Sequence, residues 1–156
     1  MRSAQRRGPQ VPVRSGRAKG RPVLLATLDV PFDQDAVAFA VDSAVELGQP
    51  LIIANFVERA PLPLSTMLGY DDLPYPPEME DALAAPARLA ASLGVQVTRF
   101  RVKSFHPIPA MLEVLAEQGA GIFVFGPDRA RIRRLRYLRA ARAIRARAST
   151  LVWLAE

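Results

Sequence analysis

Four short, largely apolar runs punctuate this chain: Val23 to Leu28, Leu51 to Val57, Ile122 to Phe125 and Thr150 to Leu154. A fifth segment, Val95 to Lys103, instead alternates, with Val95, Val97, Phe100 and Val102 apolar and polar residues between them. Unbroken short runs read as strands covered on both faces, and the alternating one as an edge strand with a wet face. Between these runs the spacing is helical. From about Asp33 to Leu47, Val37, Ala40, Val41 and Ala44 share one face, while Asp35, Asp42 and Glu46 share another. Asp33 and Asp35 fall in the first turn, where the helix dipole favours negative charge, and Gly48 stops the helix. A second helix is predicted from about Glu78 to Leu93, ending at Gly94. A third opens at His106-Pro107-Ile108-Pro109 and runs to about Gln118, ending at Gly119.

The stretch from Asp128 to Ala148 carries nine arginines and has no clean apolar face as one helix. Starting the helix near Leu135 resolves this. Tyr137, Leu138, Ala141, Ile144 and Ala148 then share an arc, Arg136, Arg139, Arg142 and Arg147 face away, and Arg129 to Arg134 form a loop. The order becomes β-α-β-loop-α-β-α-β-α-β, an α/β class with a parallel sheet. In such sheets ligands bind outside the carboxyl ends of the strands. The loop, Ala60 to Pro77, holds five prolines and two tyrosines. It is longer than most connections in a compact domain and reads as a lid, a partner contact or an insertion.

Charge changes the picture at the ends. Residues 1–21 hold seven basic groups and no acid, residues 22–127 hold thirteen acidic against five basic groups, and residues 128–156 hold nine Arg against Asp128 and Glu156. An acidic body between basic ends suggests an anionic partner or self-complementary packing of subunits. Residues 1–20, rich in Arg, Gly, Pro and Ser and without periodicity, read as a disordered basic tail, leaving 21–156 as one domain. The absence of Cys removes disulfides and thiolate metal sites, and a single His makes a His-clustered metal site untenable. No apolar stretch approaches the roughly 20 residues of a membrane span, so a cytoplasmic protein is expected.

Candidate chemistry is sparse. Asp29, at the end of the first strand, stands where a ligand-binding carboxylate would, but also suits a turn residue. Gly126 and Asp128, after the fourth strand, carry the same two readings. The arginines from Arg129 to Arg147 offer guanidinium forks to an anionic ligand, with Arg129, Arg136, Arg139 and Arg142 as the candidate partner surface. They equally suit a solvated face. A nucleic-acid accessory role lacks interleaved aromatics for base stacking. Ser104 and His106 have no oxyanion-hole motif beside them, so no catalytic residue is assigned. Phe39 is expected to pack under the long loop.

The pattern resembles the universal stress protein family from about Pro22 onward. VLLATLD (Val23–Asp29) resembles the family's first strand and its acidic residue. Ala36-Val37 followed by Ala40-Val41 resembles its first helix. LIIANFVE (Leu51–Glu58), Ile122 to Gly126 and Thr150 to Trp153 resemble its second, fourth and last strands. The resemblance implies a five-stranded parallel sheet of order 3-2-1-4-5 with helices on both faces, the adenine nucleotide α-hydrolase-like fold. It also implies a cytoplasmic dimer and a crevice between the first and fourth strands. ATP-binding members carry Gly-x-x-Gly, nine residues, then Gly-Ser or Gly-Thr after the fourth strand. Here only Gly126 remains: Arg129 takes the second glycine position, and Arg139-Ala140 the last pair. After Asp29, Val30-Pro31 replaces the family's frequent Gly-Ser, and Gly121 replaces the acid that often precedes the fourth strand. Pro127 also removes a backbone donor.

The resemblance therefore implies a non-catalytic binding or regulatory protein with little or no ATP binding and no cofactor. The alternative is a nucleotide-binding member whose arginines replace the glycine-rich loop, with slow hydrolysis still open. Its nucleotide contacts would be Asp29, Val30, Gly126, Asp128 and Arg129. In the implied strand order Thr150 to Leu154 is an apolar edge, which predicts a homodimer through that strand, with Leu151 and Trp153 at the interface.

Overall fold

The computed structural model describes residues 20–59 and 75–155. The predicted basic tail, except Gly20, and most of the long loop lie outside them. The elements are β1 (Val23–Thr27), α1 (Gln34–Leu47), β2 (Leu51–Glu58), α2 (Pro77–Ser92), β3 (Val97–Ser104), α3 (Pro107–Gln118), β4 (Ile122–Phe125), α4 (Arg134–Arg147) and β5 (Leu151–Leu154).

The five strands form one parallel sheet of order β3-β2-β1-β4-β5, the order expected. Every residue of β1 is buried, because it lies at the sheet centre with helices on both faces. On one face Val23, Leu25, Leu51, Ile53 and Val124 pack against Ala36, Ala40, Val41 and Ala44 of α1 and Leu83 and Ala90 of α2. On the other, Leu24, Ala26, Ile52, Ala54, Phe123 and Phe125 pack against Met111 and Leu115 of α3 and Tyr137, Ala141 and Ile144 of α4. The edge strand β3 keeps only partial burial, as its alternation predicted.

Local chemistry sets the helix ends. Asp33 caps α1, its Oδ1 accepting from the Ala36 N–H at 3.0 Å. Gly48 closes it at φ 62°, a left-handed cap that glycine adopts without steric cost. Val95, predicted in β3, instead donates its N–H to the Ala90 carbonyl at 3.0 Å and closes α2, so β3 starts at Val97.

The α4 register departs from expectation. Leu138, predicted on the buried arc, is exposed, and Ala140 takes its place in the core. Tyr137 fixes the rotation: its ring stacks on Phe125 with centroids 5.7 Å apart, and its hydroxyl donates to the Ala155 carbonyl. The same rotation turns Arg136, predicted to face away, partly inward, while Arg139, Arg142 and Arg147 are exposed. Phe39 stacks on Trp153 of β5 with centroids 5.7 Å apart. The loop it was expected to pack under falls mostly outside the described residues.

Candidate functional site

The chain runs outward from β1 to β3 and returns to β4, so the loops after β1 and β4 diverge at the sheet centre. Helix α1 follows on one face and α4 on the other. This is the switch point at which such sheets take ligands. Here the two loops are tied together. Asp33 N–H donates to the Gly126 carbonyl at 2.9 Å, Asp128 N–H donates to the Pro31 carbonyl at 2.8 Å, and Phe32 bridges Pro127.

Those bonds decide what the loop after β4 can hold. A phosphate cradle needs converging, unspent backbone N–H groups. The Gly126 N–H goes to Ala26 at 3.0 Å and Pro127 has none. The Asp128 N–H goes across to Pro31. The Ala130 N–H goes to Asp128 Oδ1, and those of Arg131 and Ile132 go to the Asp128 carbonyl, each at 3.0 Å. Asp128 is thus a turn-forming residue that satisfies its own loop, with Arg131 Nε 3.7 Å from its carboxylate. Glycine at 126 serves packing, since a Cβ there would lie 2.2 Å from the Ala36 Cβ. Val30 gives its carbonyl to the Thr27 hydroxyl at 2.9 Å and packs its side chain on the core. The guanidinium of Arg129 lies 3.5 Å from the Tyr137 ring centroid, continuing the stack on Phe125.

Two guanidinium nitrogens, Arg129 Nη1 and Arg136 Nη2, are buried without a hydrogen-bond partner among the described residues. Their desolvation is a cost that an anion beside them would offset. The neighbouring grooves are mixed in charge. One of about 780 Å³ is lined by Arg129 and Arg145 but also by Asp33 and Asp35. Another of about 760 Å³ has Asp33, Asp35, Glu78 and Asp128 against Arg131.

Asp29 belongs to a second constellation. It has φ 55°, the only positive φ at a non-glycine among the described residues, a conformation Asp tolerates better than most. Its N–H donates to Asn55 Oδ1 at 2.8 Å, and the Asn55 amide donates to the Tyr75 hydroxyl. The Tyr75 ring lies 3.8 Å below Arg101. Register explains the grouping, because Thr27, Asn55 and Arg101 form one row across β1, β2 and β3. Desolvation raises the Asp29 carboxyl above its ordinary value, opposed by the Asn55 hydrogen bond and by the charges of Arg101 and Arg136. Burial likewise raises the Tyr75 hydroxyl, and Arg101 opposes it. Asn55, Tyr75 and Arg101 were not singled out from the sequence. A polar Asn inside the apolar run Leu51 to Val57 was the available signal.

The raised carboxyl gives a prediction. An acid whose folded pKa exceeds its unfolded one contributes stability below the unfolded value and loses it as pH rises through the folded value. Asp29→Asn, which keeps the shape and the left-handed conformation, should raise the melting temperature slightly at pH 7. The gain should shrink as pH falls from the raised folded value towards 3.8, the ordinary value for this carboxyl, and change no further below it. A pH-independent difference, or a loss at pH 7, would count against the assignment.

The remaining candidates separate from the site. Ser104 Oγ accepts from the His106 backbone N–H at 3.0 Å, a turn bond at the start of α3 rather than a dyad. Among the described residues no cluster of His, Asp or Glu is placed to hold a metal, and no helix is long and apolar enough to cross a membrane.

No family model matches the chain, and no curated protein matches it. Solved structures do. A universal stress protein in complex with cAMP is similar at 18% identity over 87% of this chain and 96% of that one, with a TM-score of 0.58. One from Archaeoglobus fulgidus in complex with dAMP is similar at 14% identity over 88% and 98%, with a TM-score of 0.58. A universal stress protein family protein from Arabidopsis thaliana with AMP bound is similar at 11% identity over 86% and 90%, with a TM-score of 0.51. Sheet order, helix placement and these likenesses together establish that the chain has the fold of the universal stress proteins.

Proposed function

We propose that this is a universal-stress-type binding or regulatory protein, non-catalytic, that holds ATP weakly or not at all. The fold carries the general reading. Three structures of that fold hold adenine nucleotides, so the crevice is the place to ask about a nucleotide. The spent backbone donors of Gly126, Asp128, Ala130, Arg131 and Ile132 support the specific reading. A triphosphate arriving there meets Pro127, a loop already hydrogen-bonded to itself, and the carboxylate of Asp128. The protein would act through surfaces instead, among them the exposed Arg139 and Arg142 of α4.

Calorimetry with ATP tests this. The expected result is a dissociation constant no tighter than about 1 mM, equivalent to about −4 kcal/mol. Micromolar affinity would refute it.

The alternative, a nucleotide gripped by arginine forks, is favoured by one observation: the unpartnered Nη atoms of Arg129 and Arg136. In that case Arg129→Ala should abolish ATP binding while leaving a folded protein. Its melting temperature should fall only by the loss of the Tyr137 stack, worth about 0.5–2 kcal/mol.

A further inference from the structure

The contacts of Tyr75 are those of a ligand. Its ring presents one face to the Arg101 guanidinium, 3.8 Å from the ring centroid. Its hydroxyl oxygen accepts from the Asn55 side-chain amide. Asn55 is 5% exposed, and its Oδ1 is engaged by the Asp29 N–H at 2.8 Å. The amide donor group is therefore what Asn55 offers to the cleft. Beside the ring, with Tyr75 in its lining, lies a cleft of about 410 Å³ walled also by Phe32, Ile53, Leu83 and Phe100 and by the ion-paired Glu80 and Arg99, a size within the range of small-molecule sites. Guanidinium planes stack on heterocycles and side-chain amides hydrogen-bond their edges. Tyr75 satisfies both at once, from the segment entering α2 and not from the strands that carry Asn55 and Arg101.

We propose that this cleft is a binding site for a planar heterocycle bearing an acceptor at its edge, and that Tyr75 occupies its Arg101 and Asn55 end, from which a ligand must displace it. The inference rests on the reading above only for its choice of adenine compounds as probes. Displacement lowers apparent affinity by the fraction of molecules in which the cleft is filled, so removing the occupant must raise it.

Adenosine tests this independently of the phosphate question, because it carries no phosphate. In calorimetry Tyr75→Ala should bind adenosine at least about tenfold more tightly than the wild type. Tyr75→Phe keeps the stacked ring and loses the bond to Asn55, so its gain should be smaller but in the same direction. Circular dichroism establishes folding, and if Tyr75→Ala fails to fold, Tyr75→Phe decides. Folded variants that bind adenosine no better than the wild type, or worse, overturn the proposal, because Tyr75 would then serve the cleft only as a wall. ATP is measured on the same proteins. ATP binding far more tightly than adenosine to the wild type overturns the weak-ATP reading, while the adenosine comparison still decides the role of Tyr75.

Discussion

Replacing Gly126 with alanine should destabilise the protein by about 3 kcal/mol, at the upper end of what one added methyl costs in a packed core. The added Cβ would lie 2.2 Å from the Ala36 Cβ and 3.4 Å from Leu25 Cδ1. Neither side yields easily. Gly126 is pinned by its N–H to Ala26 at 3.0 Å and by its carbonyl, which accepts from Asp33 at 2.9 Å. Ala36 is fully buried in the first turn of α1, where its own N–H is held by Asp33. Relief requires the start of α1 to move off the sheet, taking the loop after β1 with it. Ala36→Gly supplies the missing space at about 1 kcal/mol for glycine in a helix. The double variant should therefore be more stable than Gly126→Ala alone, a coupling visible in urea melts. A Gly126→Ala protein that melts with the wild type would show that glycine is kept at 126 for some reason other than packing.

That glycine also shows where the sequence was ambiguous. A glycine after a central strand permits backbone to approach a phosphate or a helix to approach a sheet, and the residue type is the same for both. Only the position of Ala36 separates them. The strands were legible for a simpler reason: β1 and β4 are covered on both faces, so nearly every position must be apolar and the run declares itself. Helix ends were legible where one residue does the capping, as at Gly48.

The Asp29–Asn55–Tyr75–Arg101 constellation was only one-quarter legible. Asp29 stood out at a strand end, but its partners are 26 to 72 positions away in sequence and meet through strand register and the approach to α2. In α4 the arginines masked the rotation. With few apolar side chains, Leu138 looked like core, and the contacts of Tyr137 with Phe125 and Ala155 turned it outward.

Leu151→Lys should convert the protein from dimer to monomer. Among the described residues strand β5 pairs only with β4, leaving a row of N–H and C=O groups on its outer side. An apolar edge of this kind invites pairing with another chain. We propose that the same strand of a second copy, related by a two-fold axis, supplies the partner. Leu151 is 63% exposed and Leu154 only partly covered, so a dimer would bury apolar surface that one chain leaves wet. Trp153 is a poorer probe than the sequence suggested, because stacking on Phe39 already employs it inside the subunit. Changing it would disturb α1 as well as any interface. Lysine at 151 leaves that stack alone and brings two like charges toward the axis, which edge strands use to repel partners. Light scattering should give twice the chain mass for the wild type at tens of micromolar and the single chain mass for the variant, with unchanged melting of the subunit core. A monomeric wild type would reject the arrangement, as would a Leu151→Lys protein that remains dimeric at the same concentration.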